Sequence, residues 1–239
     1  MARDKFGPII ASAGIAGVMG FIACRYLFRP WASRWGATHA EVYGSLPGDD
    51  LIARPRGQST HAITIHAPAS EIWPWLVQMG QGRGGFYSYD WLENLIGLDI
   101  HSANKIIPRF QSLNVGDLVR MHPTGGLEVA TLEPERDLVF YADADTQAGR
   151  RSKMTGVPGD DPLDFVSTWS FHLRPLNSQT TRLIVRSRGD WHPNFGASLL
   201  WGAITEPADL IMGQKMLRGI KKRAQTPRIS NGDIPQNHD

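Results

Sequence analysis

From Ser167 to Gly189 the chain alternates with a period of two across a turn. STWSFHLRP places Trp169, Phe171 and Leu173 on one face, NSQT turns the chain, and TRLIVRSRG returns with Leu183 and Val185 on the same side. Such a hairpin is marginal alone, because its apolar face stays wet until something covers it. Arg182, Arg186 and Arg188 take the opposite parity, which predicts a solvated face; the alternative is contact with anionic lipid headgroups together with Lys221, Lys222 and Arg223. The chain must therefore supply a cover for one side of an antiparallel sheet.

The last periodic segment supplies one. TEPADLIMGQKMLRGIKKRA, Thr205 to Ala224, sets Leu210, Gly213, Leu217 and Ile220 on one side with Met212 and Met216 adjoining, a helix of about five turns. Between hairpin and N-terminus lie THAITIHAP, a strand with Ile63 and Ile65 facing one way, and a helix from Pro68 to Gly80 with Trp73, Leu76 and Val77 as its stripe. Pro74 is expected in or near the first turn of that helix, where it is tolerated. SYDWLENLIG reads as a second short helix, with Asp90 and Glu93 in the positions of a capping box. NVGDLVRMHP, GLEVATLEP and RDLVFYAD follow as strands, and Asp143 to Asp164 as a long polar loop. Strands covered by helices on one face define an α+β domain: a curved antiparallel sheet wrapped around a long C-terminal helix, with an apolar interior that Met212 and Met216 would line.

The N-terminus adds a different element. No residue from Phe6 to Cys24 is charged, and a helix of that length spans about 28 Å, close to the roughly 30 Å of a bilayer core. Arg3 and Lys5 precede it, and Arg25, Arg29 and Arg34, interleaved with Tyr26, Trp31 and Trp35, follow it as an interfacial belt. Phe21 is a poor fit to a cleavage site, so an uncleaved transmembrane helix is favoured over a signal peptide. The slightly denser basic residues after the span favour a cytoplasmic body, and Ala16, Gly20 and Cys24, four apart, form a small-residue face for a homodimer through the anchor. The expected organisation is an anchor over 1–28, an extended lead-in over 29–59, a globular domain over 60–225 and a disordered tail over 226–239.

Taken together, RPWASRWGAT, LPGDDLI, APASEIWPWLVQMGQGRGGFYSYDWLENLIGLDIHSA, VGDLV, TRLIVRSR and IMGQKMLRGIKKRA resemble membrane-linked members of the START-like helix-grip superfamily, which includes polyketide cyclases, dehydrases and lipid-transfer proteins. The resemblance runs from about Arg29 to Ala224 and implies a hydrophobic ligand cavity between sheet and terminal helix. It implies no single activity. The residues placed to line such a cavity are Trp73, Arg83, Tyr87, Tyr89, Trp169, Met212 and Met216.

Gly80, Gly82 and Gly85 match the spacing of a dinucleotide-binding loop, but that motif needs a strand before it and a helix opening at it. Here a helix precedes, so the glycines are expected to cap that helix and turn the chain, or to form a movable cavity mouth presenting Tyr87 and Tyr89. Arg83 is expected to pair with Asp90 or Glu93, or to face an anionic ligand group. If the interior is catalytic, Tyr87, Asp90 or His101 would supply the proton, with Asp99 and His101 as a carboxylate–imidazole pair.

A formal charge of +2 offers no broad field for nucleic acid. The single cysteine, Cys24, and the scattered histidines give no metal-ligand spacing, and no hydrolase elbow, zincin pair or P-loop occurs, so no metal or cofactor is expected. Three functions stay open: binding of a hydrophobic small molecule or lipid, an enzyme acting on a polyketide-like or isoprenoid-like substrate, and a partner-binding module with a filled core.

Overall fold

The structure, a computed structural model, describes residues 29–123, 125–143, 165–191 and 206–226. The expected anchor, the polar loop beyond Asp143 and the tail beyond Thr226 lie outside the described residues. Among the described residues no helix is long and apolar enough to cross a membrane.

Six strands form one antiparallel sheet in the order β1-β6-β5-β4-β3-β2. They are β1 (Gly57–Ile65), β2 (Leu118–His122), β3 (Gly125–Glu133), β4 (Asp137–Ala142), β5 (Phe165–Asn177) and β6 (Thr180–Trp191). Bulges in the β2–β3 and β3–β4 pairings bend this side of the sheet. Two short helices, α3 (Ala69–Val77) and α4 (Asp90–Leu95), follow β1, and a 20-residue helix, α5 (Glu206–Gln225), closes the fold. This is the helix-grip arrangement the sequence pattern predicts.

Register sorts the side chains. Phe171 pairs with Val185 and Leu138, and Leu173 with Leu183, so this stretch of one parity is apolar and faces α5, whose Met216, Leu217, Ile220 and Ala224 are buried in the same cluster. Burying each large member contributes about 1.5–3 kcal/mol. Pro74 departs from expectation: it lies well inside α3, beyond the first turn, and removes the amide that would have bonded the carbonyl of exposed Ser70.

The other parity corrects two expectations. Residues 29–59 are not extended; they form α1 (Arg29–Ala32), which packs beside α5, and then α2 (His39–Tyr43) and a 3₁₀ turn (Asp49–Ile52) folded against the convex face. Helix α2 is held by a capping box in which Glu41 N donates to Thr38 Oγ1 at 3.2 Å and Thr38 N to Glu41 Oε2 at 2.7 Å. The arginines expected in solvent are what this segment binds. Arg186 is 1% exposed; its Nε donates to Thr60 Oγ1, its Nη1 to Gly44 O and to Asp49 Oδ2 at 2.5 Å, and its Nη2 to the carbonyls of Glu41 and Val42. Arg182 grips Glu41 at 2.7 and 2.8 Å, and Arg188 reaches the second oxygen of Asp49 at 2.7 Å. A guanidinium with all three nitrogens bonded survives burial where a bare one would not.

Removing that side chain takes one of two arginines from Asp49 and leaves the carbonyls of Glu41, Val42 and Gly44 without this donor. Arg186→Ala is expected to lower the unfolding free energy of the full chain by about 3–5 kcal/mol. Urea denaturation checks this, with Arg182→Ala as the milder comparison; equal losses for the two would show that burial of Arg186 is not what matters.

Candidate functional site

The interior under α5 is graded in side-chain size. Across β4, β5, β6 and β1 the paired rows on the apolar face run Leu138, Phe171, Val185, His61; then Phe140, Trp169, Ser187, Ser59; then Ala142, Ser167, Gly189, Gly57. Bulk falls away in two steps beyond Trp169. The start of α5 lies over this small-residue end: Ser59 Oγ donates to Asp209 Oδ2 at 2.9 Å, and a Cβ at Gly213 would meet His61 Nδ1 at 3.1 Å. Trp169 stands at the step, half-buried, with ring centroids 4.7 Å from Phe171, 6.0 Å from Phe86 and 6.1 Å from Phe140. Met216 is buried in the core and Met212 half-buried beside it on the helix, its carbonyl accepting from Ser88 Oγ at 3.3 Å. Trp73 is half-buried against the core from α3.

The glycine loop is a structural turn. Gly80 and Gly85 exchange backbone bonds at 3.1 Å, Gln81 N donates to Arg120 O at 2.8 Å and Gly84 N to Gln78 O at 2.7 Å, so the amides that would cradle phosphate are already used. Gly85 has φ +69°, and a Cβ there would stand 2.8 Å from the backbone of Ser102. Arg83 does not pair with Asp90 or Glu93. Its Nη2 donates to Val77 O and Phe110 O, both at 3.0 Å, and its guanidinium lies 4.9 Å from the Phe110 ring centroid, so it ties the end of α3 to the loop before β2. At the hub of this loop is Gln78, which no pattern in the chain singles out. It is fully buried; its Nε2 donates to Tyr87 Oη at 3.0 Å and its Oε1 accepts from Ile107 N at 2.9 Å.

Tyr87 is 1% exposed and donates to Trp75 O at 2.9 Å; burial raises its phenol well above the ordinary range, against the pull of Gln78, Arg223 and Arg83. The Arg223 guanidinium lies 4.7 Å from its ring centroid, and Gly219 admits the Tyr87 carbonyl against α5. Tyr89 carries Lys215 Nζ at 5.3 Å from its ring centroid. The capping box expected of Asp90 and Glu93 does not form: Tyr89 is the N-cap, and Asp90 accepts from Ser102 N at 2.7 Å and Ser102 Oγ at 2.6 Å. His101 pairs with Asp99 at 3.0 Å, but both side chains are largely in water. The structure thus gathers Tyr87, Tyr89 and Asp90 against α5 and leaves Arg83 and His101 apart.

Glu93, freed from capping, is the unusual group. It is 2% exposed, its Oε2 has no hydrogen-bond partner, and burial together with Asp90 pushes its carboxyl up to about 7. A second polar chain sits on the convex face. Ser170 Oγ lies 3.0 Å from His172 Nε2, and His172 Nδ1 lies 2.6 Å from Asp137 Oδ1, which Arg174 also holds at 2.8 Å. Burial works to raise the Asp137 carboxyl, but the bonds from His172 and Arg174 win and hold it low; burial likewise holds the His172 imidazole below its ordinary range. This is the order of a nucleophile, base and acid, yet the three are 3%, 0% and 1% exposed and no substrate reaches them. Among the described residues no three His, Cys, Asp or Glu side chains group for a metal ion.

No protein-family model matches the chain, and no curated protein is matched by it. Solved structures similar to it include a protein from Mesorhizobium loti (17% identity, covering 70% of this chain and 96% of that one, TM-score 0.38). A polyketide cyclase-like protein from Corynebacterium glutamicum matches at 15% identity (69% and 89% covered, TM-score 0.35), and a hypothetical protein from Helicobacter pylori at 11% (76% and 95%, TM-score 0.42). At these identities the likeness is one of fold.

Because the folded pKa of Glu93 is raised, the stability tied to its protonated form is complete below about pH 4.5 and is lost as pH rises to about 7. Glu93→Gln is therefore expected to flatten the decline in unfolding free energy between those values, which is on the order of 2 kcal/mol. Denaturation across that range is the check; an unchanged slope would place the titration elsewhere.

Proposed function

We propose that this chain is a membrane-anchored helix-grip domain that binds a hydrophobic small molecule or lipid between its sheet and α5. The observation that carries the reading is the fall in side-chain size beyond Trp169. A sheet face that steps from Phe171 and Leu138 down to Ser167, Gly189 and Gly57 under the start of a helix supports a place for an apolar ligand there. Ser59, Ser187 and Ser167 add hydroxyls for its polar end. The uncharged Phe6–Cys24 segment supports an anchor that holds the domain beside a store of such ligand, with the body on the cytoplasmic side and a homodimer through the small-residue face of the anchor.

A second reading has one observation in its favour. Glu93 is buried, lacks a partner at Oε2 and titrates near neutrality, as a general acid for a cyclase- or dehydratase-type step would. Tyr87 and Asp90, by contrast, have their polar atoms committed to Trp75, Gln78 and Ser102.

Native mass spectrometry of the full chain after mild extraction is expected to show a retained apolar mass. Ser187→Phe, which fills the small-residue end, is expected to abolish it while the melting temperature holds. A folded wild-type chain that retains nothing would overturn the binding reading. For topology, a cysteine at Leu176, exposed at the β5–β6 turn, in a Cys24→Ser background is expected to resist a membrane-impermeant thiol reagent in intact cells; labelling there would put the body outside.

A further inference from the structure

The outward stripe of α5 is neither bare nor ordinary. Ile211, Lys215, Arg218 and Lys222 follow one another at the helical repeat, and all four are exposed. Two of the cations rest on aromatic rings from flanking elements: Lys215 Nζ lies 5.3 Å from the Tyr89 ring centroid on one side, and the Arg218 guanidinium 5.2 Å from that of Trp35 on the other. Each flank then continues into exposed apolar bulk. Beyond Tyr89, α4 turns Trp91 and Leu95 outward, four residues apart, followed by Ile96, at 69%, 75% and 73% exposure. Beyond Trp35, α1 exposes Trp31, and its Ala32 carbonyl meets His61 Nε2 at 3.0 Å, beside Gly213 of α5. The same turn of α5 receives Ser88 from the other flank, through the Met212 carbonyl. Three nearby carboxylates face inward, Asp90 to Ser102, Asp209 to Ser59 and Glu93 to the interior, while exposed Asp99 pairs with His101.

We infer that this belt of α5, α4 and α1 is the surface on which the domain lies against an anionic bilayer, with Trp31, Trp91, Leu95, Ile96 and Ile211 at the acyl boundary and Lys215, Arg218 and Lys222 among the headgroups. The inference rests on the proposed anchor and deepens it. Cations over aromatic rings beside exposed tryptophans are the composition of a membrane interface. Chain continuity argues for the same occupant: α1 starts at Arg29, five residues after the uncharged segment ends at Cys24, so a spanning anchor would hold α1 close to the lipid. The start of α5 lies over the small-residue end of the interior, so a helix resting on lipid would cover the ligand's end of the sheet as well.

The test uses the full chain, Cys24→Ser, reconstituted into vesicles of phosphatidylcholine and phosphatidylglycerol. Single cysteines at Trp91, Leu95, Ile96 or Ile211 carry an environment-sensitive fluorophore, with Leu176 as the remote exposed control. Expected are co-flotation with lipid, a blue shift at the four positions and quenching by lipids spin-labelled near the headgroup, all absent at Leu176. Lys215→Glu with Arg218→Glu is expected to reduce that quenching. Co-flotation without quenching overturns the inference and leaves the anchor intact; a blue shift without lipid quenching assigns the face to a protein partner or second copy and also overturns it. Failure to co-float overturns anchor and inference together, while ligand retention, measured separately, is untouched by any of these.

Discussion

The bonds that Arg186 makes across the convex face set the rest of the architecture. A six-stranded sheet with one helix over it has a second face to satisfy, and here that face is closed by polar contacts to a segment about 140 residues away in sequence. Asp49 binds both Arg186 and Arg188, and Glu41 binds Arg182, so residues 36–52 cannot leave the sheet without stranding three guanidinium groups. That fixes where the chain begins its fold. With α2 and the 3₁₀ turn on the convex side, α1 is brought round the β1 edge to meet α5.

Alternation made the apolar parity of the hairpin plain in the sequence, and with it the sheet, the covering helix and their order. The polar parity misled for a physical reason. Arginines at alternate strand positions look the same whether they meet water or a carboxylate, and the difference lies in Glu41 and Asp49, acidic residues in a stretch that reads as loop. The pair Asp90 and Glu93 failed similarly. Its spacing fits a capping box, but Ser102, twelve residues on, offers Asp90 both an amide and a hydroxyl, and the carboxylate goes there instead. Glu93 is then left buried, a consequence visible only once the fold is known. Gln78 gave no signal because a hub is defined by what converges on it: Tyr87, Lys105, Ile107 and Gln111 come from four points along the chain. The rejection of the dinucleotide loop needed only local order, helix before glycines, and the used amides of Gln81, Gly84 and Gly85 give it a structural cause.

These polar groups divide by what they can still do. Ser170, His172 and Asp137 have the chemistry of a catalytic chain but are sealed beneath the lead-in, where a neutral imidazole between a carboxylate and a hydroxyl is a well-satisfied buried network. Glu93 is the reverse case, sealed from bulk water yet with an unpartnered oxygen, which a structural role does not require. Burial without a partner costs stability, and such a cost persists most readily at a site that uses it.

Under the proposed function, apolar ligand chemistry and membrane contact would be one constraint rather than two. Bulk on the concave face decreases toward Gly57, Ser167 and Gly189, the end over which α5 begins, while Lys215 and Arg218 rest on Tyr89 and Trp35 along the middle of the same helix. An interior whose small-residue end opened to water would fill with water and would expose an apolar ligand at every exchange. Set against lipid, that opening exchanges one apolar medium for another, and the hydrophobic cost of entry and exit falls with the area kept from water. The position of α1 matters for this reason: with Arg186 holding α2 and the 3₁₀ turn on the convex face, α1 is the part of the lead-in that meets α5.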